Sequence, residues 1–175
     1  MIYLLSVSNP AELTDDFRRI YEVAFPDDER RDWHQFAELL LNPCFSMNKV
    51  FFHDELIGIL NYWKLDSFYF IEHFAISEAE RGKGLGSLVI SQFLRELSNV
   101  VLEVEEPYSE MARRRIEFYK RFDFCTLEGD YYQPPYSTAK NSIKMLLMNY
   151  SNQSQSTDFN FAKKQIYQTV YKITE

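Results

Sequence analysis

Apolar and polar residues follow two different periods along the chain, which predicts a mixture of strands and helices. Runs rich in β-branched and aromatic residues have the character of strands, and they cover residues 2–7, 47–52, 56–63, 68–76, 100–104, 124–128 and 143–149. Apolar residues recur at the spacing of an amphipathic helix in residues 10–24, 33–40, 85–97, 109–122 and 159–173. Because strands and helices alternate in the middle of the chain, the pattern predicts a mixed α/β fold.

Composition predicts a single folded domain followed by a short extension. The chain has 175 residues, of which 46% are hydrophobic, so it can bury one substantial core. Residues 151–157 are all serine, asparagine, glutamine or threonine, a composition typical of a polar tether. We therefore predict a domain over residues 1–150, a tether over 151–157 and a C-terminal helix within 158–175 that docks onto the domain.

The net charge of the chain limits the kinds of binding partner that we predict, and its cysteine content indicates a cellular compartment. The net charge of −7 disfavours nucleic acid, whose binding depends on basic contacts to phosphate, and it suits a cationic partner such as an amine. Cys44 and Cys125 lack metal-ligand spacing and have apolar neighbours, so we predict reduced core thiols in a cytoplasmic protein. No apolar run approaches the ~18 residues of a membrane span, and residues 1–5 lack the basic region of a secretion signal.

A glycine-rich loop, Arg81-Gly82-Lys83-Gly84-Leu85-Gly86, joins the predicted strand 68–76 to a predicted helix. Backbone N–H groups at the start of a helix bind phosphate, and glycines let the backbone come close to such a ligand. Ser87 stands where a dinucleotide fingerprint needs a glycine, and no serine or threonine follows Gly82-Lys83 as in a triphosphate loop. The loop thus predicts a phosphate-bearing ligand of another kind, the alternative being a tight turn that binds nothing.

Arg81, Gly84 and Gly86 fit the [Arg/Gln]-x-x-Gly-x-[Gly/Ala] pattern of the GCN5-related N-acetyltransferases, which the chain resembles over about residues 2–150. Residues 116–124, Ile-Glu-Phe-Tyr-Lys-Arg-Phe-Asp-Phe, resemble the family's helix that ends in a tyrosine and precedes Gly-Phe. Asp123 replaces that glycine, which predicts a different turn geometry. Leu102-Glu103-Val104 and residues 130–134 resemble the ribosomal-protein N-terminal acetyltransferase branch.

The resemblance implies a fold, a co-substrate and residues that bind it. The fold is a mixed, mostly antiparallel sheet of about six to seven strands flanked by helices, and the co-substrate is acetyl-CoA. Backbone groups of the strand 68–76 would pair with the pantetheine arm, and amides of the glycine-rich loop would hold the pyrophosphate. The implied cofactor-binding residues are Phe74, Ala75, Ile76, Arg81, Gly82, Lys83, Gly84, Leu85, Gly86 and Ser87. Arg113-Arg114-Arg115 either reach the 3′-phosphate of the cofactor or form a solvated helix face.

Transfer of an acetyl group to an amine needs a proton acceptor, because a lysine-like amine with a pKa of about 10.4 is charged at neutral pH. Glu103 lies in an apolar strand where a charge is costly without a partner, and alternation turns it away from Leu102 and Val104. The resemblance makes Glu103 the first candidate base. Glu72 is the second, expected on the face of Phe74, with His73 turned the other way as a structural residue. A solvated or arginine-paired carboxylate is the alternative for both glutamates.

Tyr119 is the candidate donor to the leaving thiolate, since a phenol with a pKa of about 10 is protonated at neutral pH. Core packing is the alternative, and only the family resemblance favours the catalytic role. Tyr131, Tyr132 and Tyr136, with two neighbouring prolines, either wall an acceptor pocket or close the core. Together these features predict a monomeric or homodimeric enzyme that moves acetyl from acetyl-CoA to a primary amine by direct transfer in a ternary complex. The alternative is a non-catalytic CoA-binding sensor or interaction module with the same fold.

Overall fold

The computed structural model of the protein describes residues 1–152 and 157–173. Its strands are β1 (Ile2–Ser6), β2 (Phe45–Phe52), β3 (Glu55–Lys64), β4 (Tyr69–Ile76), β5 (Asn99–Glu105), β6 (Cys125–Thr126), β7 (Tyr131–Gln133) and β8 (Ile143–Ser151). Its helices are α1 (Asp15–Ala24), α2 (Gln35–Leu39), α3 (Leu85–Leu94), α4 (Glu110–Lys120) and α5 (Phe159–Thr169). Short 3₁₀ turns cover Pro10–Glu12, Asp27–Glu29 and Glu78–Glu80.

The strands form one mixed sheet in the order β1-β2-β3-β4-β5-β8-β6, with β7 paired to β8. The pairing of β4 with β5 is parallel, and the other pairs within the described residues are antiparallel. This confirms the mostly antiparallel mixed sheet. Within residues 1–152 and 157–173 the sheet has eight strands. The strand that was not predicted is β7, whose three residues lie in a tyrosine- and proline-rich segment too short to show a strand pattern.

β4 and β5 pair over only three residues each and then separate. Tyr69 to Ile71 pair with Val100 to Leu102, whereas both strands continue further. On its other side β4 stays paired with β3 as far as Ile76. The separation therefore opens a gap through the sheet and leaves one edge of β4 free beyond Ile71.

A β-bulge at Glu72 changes which way the side chains of β4 face. Asn61 of β3 pairs with His73 and Tyr62 pairs with Ile71, so Glu72 is an extra residue on β4. Regular alternation would have put Glu72 and Phe74 on one face and His73 on the other. In the structure Glu72 and His73 share a face and Phe74 lies on the opposite one. The prediction that Glu72 faces the same way as Phe74 is wrong.

Two hydrophobic clusters cover the two faces of the sheet. Helices α1, α2 and α5 pack against one face, through Phe17, Tyr21, Phe36 and Ile166 among others. Helices α3 and α4 pack against the other, chiefly through Val89, Ile90, Ile116 and Tyr119. The Asp158 side chain caps α5 by accepting from the amide of Phe161 at 2.8 Å, and Ala162 and Ile166 are fully buried.

The structure also bears on three other predictions from the sequence, which concern the tether, the cysteines and a membrane span. Of the predicted tether, residues 153–156 lie outside the described residues, while Thr157 is buried and its amide donates to Asn149 at 2.9 Å. Cys125 is exposed, so the prediction of a core thiol is wrong for this residue, since neighbouring apolar residues in sequence do not set burial. Cys44 is half-buried and packs against the core. No helix among residues 1–152 and 157–173 has the length and apolar character that crossing a membrane requires.

Candidate active site

A cleft opens along the free edge of β4, between that strand and α4. Its main cavity has a volume of about 810 Å³, and a neighbouring cavity of about 390 Å³ continues it towards the glycine-rich loop. Residues that line both cavities are Phe74, Ile76, Arg81, Phe118 and Arg121. The end of β4 and the loop after it, both predicted to bind the cofactor, thus lie along adjoining cavities.

The glycine-rich loop presents backbone amides to this cleft. Gly82 and Gly84 both have a φ of 77°, a left-handed conformation that glycine adopts without steric cost. A Cβ atom built on Gly84 would meet no other atom within 4 Å, so the space in front of it is open. Helix α3 begins directly after Gly84, and the amides of Leu85 and Gly86 in its first turn lack helical acceptors. These groups can hold an anion.

Side chains of the loop are held by neighbours. The Nε of Arg81 donates to the carbonyl of Ile76 at 3.0 Å, which ties the loop to the end of β4. Lys83 forms an ion pair with Glu80 at 2.8 Å. The amide of Ser87 already donates within the first turn of α3 at 3.1 Å. Its hydroxyl, rather than its amide, is therefore the group that could bind a phosphate.

Arginine side chains are concentrated on the walls of the cleft, although the protein has a net charge of −7. The arginines that line it are Arg81, Arg113, Arg114, Arg115 and Arg121. Arg113 donates to the carbonyl of Pro107 at 2.9 Å, and Arg115 is paired with Glu105. Glu110 and Glu117 line the same cavity, and Glu110 is paired with Arg114. Because the arginines outnumber these carboxylates, the lining suits an anionic ligand with several phosphates.

Glu103 lies on β5 where this strand has separated from β4. Its carboxyl group faces away from Leu102 and Val104, as alternation predicted, and it accepts hydrogen bonds from the hydroxyls of Tyr131 and Tyr171. Burial raises the pKa of Glu103 to about 8, although both hydrogen bonds favour the ionised form. A carboxyl group with a pKa in this range is suited to act as a base near neutral pH.

Tyr119 lines the main cavity from α4 and is only 6% exposed. Burial raises its pKa to about 12, against the opposing influence of Arg115. The phenol is therefore protonated at neutral pH and can donate a proton to a group in the cleft.

Asp123 shapes the turn after α4, where the family motif has a glycine. Its φ is 63°, in the left-handed region that aspartate adopts more readily than most residues. Aspartate thus takes a backbone conformation in which glycine is common, and the different turn geometry stays a prediction.

Glu72, the extra residue at the β4 bulge, forms a buried ion pair with Arg31. Its side chain is fully buried and lies 2.8 Å from Arg31, which is itself buried, and the indole of Trp63 donates to it at 2.8 Å. Burial would raise the pKa of Glu72, but the charge of Arg31 and these hydrogen bonds hold it below its ordinary value. Both carboxylate oxygens are thus engaged within the protein.

His73 has the contacts of a structural residue. Its Nε2 lies 3.2 Å from the carbonyl of Glu29 and 3.3 Å from the hydroxyl of Tyr21, and its ring packs edge-on against Phe25. Burial lowers its pKa to about 4, so the imidazole is neutral at pH 7.

Comparison with known proteins agrees with this geometry. The model of the Acetyltransferase (GNAT) family matches residues 11–124. The chain belongs to this family. The Bacillus subtilis protein YjbC, assigned as an acetyltransferase, is 30% identical over 118 residues, which are 65% of this chain and 60% of YjbC. The matched region thus spans about 60% of the length of this curated relative.

Solved structures of GNAT proteins resemble the whole fold. One from Bacteroides thetaiotaomicron is 32% identical with a TM-score of 0.89, and the match covers 98% of this chain and 99% of that one. The ribosomal-protein-S18-alanine N-acetyltransferase of Escherichia coli has a TM-score of 0.64 at 13% identity, covering 91% of this chain and 99% of that one. The second likeness shows the fold alone, so the branch suggested by residues 102–104 and 130–134 stays a prediction.

A pair of carboxyl groups near the cleft, Glu29 and Glu105, was not predicted. Glu29, in the connector between α1 and α2, has its pKa raised to about 7 by burial and by the neighbouring carboxylate of Glu105. Glu105 also pairs with Arg115 of the cleft wall. Residues 26–31 show a run of charge, but nothing in that run indicates which of its residues reaches the end of β5.

We expect Glu72→Gln to destabilise the protein by about 3 kcal/mol, because removal of one charge leaves the buried guanidinium of Arg31 unpaired. Urea unfolding at pH 7 measures this change, and Asp16→Asn, which removes an exposed ion pair with Arg19, should leave the urea midpoint almost unchanged. Since the pKa of Glu72 is lowered by folding, its contribution is complete above the unfolded pKa and is lost as pH falls through the folded one. Equal midpoints for Glu72→Gln and the wild type would contradict the ion-pair assignment.

Proposed function

We propose that this protein is an N-acetyltransferase that moves acetyl from acetyl-CoA to a primary amine by direct attack in a ternary complex. One observation carries the proposal: β4 and β5 separate beside an arginine-lined cleft, and the carboxyl of Glu103 lies on β5 directly beyond the last residue that pairs with β4. An amine and a thioester that met in this gap would have a base and an acid from opposite faces of the sheet.

The free edge of β4 supports the binding of an extended chain. Phe74 to Ile76 use one edge of their backbone to pair with β3, and their other edge faces the cleft. A pantetheine arm carries amide groups, so it can add to this edge as a further strand would. Beyond it, the amides that follow Gly84 and the hydroxyl of Ser87 are placed to hold the pyrophosphate.

The arginines on α4 extend this anion site. Arg113, Arg114 and Arg115 all line the cleft, and of the two earlier interpretations this favours contact with a phosphate over a purely solvated face. The proposed cofactor-binding residues remain those of residues 74–76 and 81–87. Lys83 contributes through its backbone, because its ammonium group is paired with Glu80.

Glu103 and Tyr119 divide the proton chemistry. Glu103, once ionised, takes a proton from the attacking amine, which becomes nucleophilic when it is neutral. Tyr119 donates a proton to the departing thiolate. Glu72 neutralises the charge of Arg31. We therefore assign Glu72 a supporting role and assign the role of base to Glu103.

A thiol-release assay with acetyl-CoA and a panel of amines tests the function. The panel contains peptide α-amines, a lysine side chain, a polyamine and an aminoglycoside, and calorimetry with acetyl-CoA, CoA, ATP and NAD measures binding. We expect binding of acetyl-CoA and CoA alone among these nucleotides, and turnover of at least one amine. Tight CoA binding without turnover of any amine would support a non-catalytic CoA-binding protein instead.

We expect Tyr119→Phe to lower kcat about tenfold or more with little change in acetyl-CoA affinity, because the lost hydroxyl acts only as the thiolate forms. Tyr150→Phe is the matched control, since Tyr150 packs on the same Phe124 ring as Tyr119 and does not line the cleft cavities. If kcat is unchanged and only thermal stability falls, Tyr119 serves the core and not the reaction.

A further inference from the structure

The C-terminal segment contacts the candidate base directly. The hydroxyl of Tyr171 lies 3.1 Å from Oε1 and 3.0 Å from Oε2 of Glu103. Tyr171 follows α5 and is 68 residues from Glu103 in sequence. It is also outside residues 11–124, which match the GNAT family model. This contact therefore joins the candidate base to a C-terminal segment that lies outside the matched family region.

Several contacts fix the position of the Tyr171 hydroxyl. Val170 is 2% exposed, and its carbonyl accepts a hydrogen bond from Arg31 at 3.0 Å. The amide of Tyr171 donates to the carbonyl of Ile166 at 3.3 Å. Its ring packs against Tyr136 with centroids 5.2 Å apart, and the two hydroxyls are 3.3 Å apart. Tyr171 is thus held on its backbone and on its ring.

We propose that Tyr171 is a positioning residue for the catalytic base Glu103, so that the segment that follows the C-terminal helix α5 is part of the active site and not only of the fold. This inference rests on the proposed function of Glu103. Tyr171 does not touch the reacting atoms. It orients the carboxylate and stabilises its charge through a hydrogen bond.

Charged and titratable groups from four other segments also face Glu103. Tyr131 of β7 donates the second hydroxyl hydrogen bond, Glu72 of β4 disfavours its ionisation, Arg31 of the α1–α2 connector favours it, and Tyr136 lies behind Tyr171. A hydrogen bond donated to a carboxylate favours the charged form, and its loss raises the pKa of that carboxyl. Loss of the Tyr171 hydroxyl must therefore make Glu103 harder to ionise.

Tyr171→Phe, compared with Tyr167→Phe in the full chain, tests the inference. Tyr167 lies on α5 and donates to the carbonyl of Tyr132 at 2.5 Å, so both variants remove one hydroxyl from the same segment. We expect Tyr171→Phe to lower kcat/KM at pH 7 about tenfold and to move the acid limb of the pH–rate profile up by about one unit. Tyr167→Phe should keep the wild-type profile. An unshifted limb in Tyr171→Phe would overturn the inference.

A second readout does not depend on activity. The Glu103 carboxyl is followed by carbon-detected NMR across pH, with its signal assigned by its absence from Glu103→Gln. A higher pKa in Tyr171→Phe than in Tyr167→Phe supports the inference even if no acceptor amine is found, and equal values overturn it. Failure of the proposed function is a separate result: the wild-type protein would then turn over no amine. Unchanged turnover in Glu103→Gln would remove Glu103 from the reaction.

Discussion

Replacing Gly84 by aspartate should reduce acetyl-CoA affinity by on the order of 10²- to 10³-fold while the protein stays folded. The new carboxylate would lie at the start of α3, where the pyrophosphate is expected to approach the helix N-terminus. Because a Cβ atom at Gly84 meets nothing within 4 Å, the side chain itself fits. Aspartate also tolerates the left-handed backbone better than most residues. Calorimetry measures the affinity, and circular dichroism with thermal unfolding checks the fold.

Gly84→Asn separates charge from shape in this experiment. Asparagine has nearly the same size and the same tolerance of a positive φ, but it carries no charge. We expect it to lose much less affinity than the aspartate variant. A folded Gly84→Asp protein that binds acetyl-CoA like the wild type would refute the pyrophosphate assignment, and equal losses for both variants would assign the effect to steric exclusion.

Replacing Glu103 by glutamine should lower kcat/KM at pH 7 by on the order of 10²-fold, with a smaller loss at pH 9.5. Glutamine keeps the shape of the side chain but cannot take the proton of the amine. At high pH more of the amine is already neutral, so the base matters less. Since the pKa of Glu103 is raised to about 8, the wild-type rate should rise with pH around this value as the carboxyl ionises. The variant should lack an inflection near pH 8 and should rise only as the amine itself becomes neutral.

Glu29→Gln provides the comparison for that profile. Glu29 has a pKa raised to about 7 and pairs with Glu105 at the end of β5, so it is a second carboxyl group that could titrate in this range. We expect Glu29→Gln to retain the rise near pH 8. If the rise persists in Glu103→Gln and disappears in Glu29→Gln, the base is Glu29. A pH-independent loss in Glu103→Gln would mean that Glu103 only positions the substrate.

The phosphate loop could be located from the sequence because its geometry is local. A strand pattern, three glycines within five residues and a helical pattern follow one another around Gly84, and the positive φ of that residue depends only on its neighbours. The orientation of Glu103 was also predictable. β5 is a regular strand, so alternation with Leu102 and Val104 held.

The local environments of Glu72 and Glu103 depended on residues far along the chain. The bulge at Glu72 arises from its pairing with β3, and a single extra residue reverses the alternation on which the prediction relied. The partner of Glu72, Arg31, is 41 residues away, and a hydroxyl partner of Glu103, Tyr171, is 68 residues away. No spacing rule within one strand or helix contains such contacts.

By itself, therefore, the sequence determined the strand and helix order, the anion-binding loop and the family motifs, because each rests on interactions among residues a few positions apart. Only the tertiary structure decided which carboxyl is neutralised by an arginine and which is held by tyrosines in the gap between β4 and β5. The physical reason is that a pKa and the orientation of a side chain depend on burial and on charges nearby in space. Those neighbours come together only when β3, the α1–α2 connector and the C-terminal helix have packed.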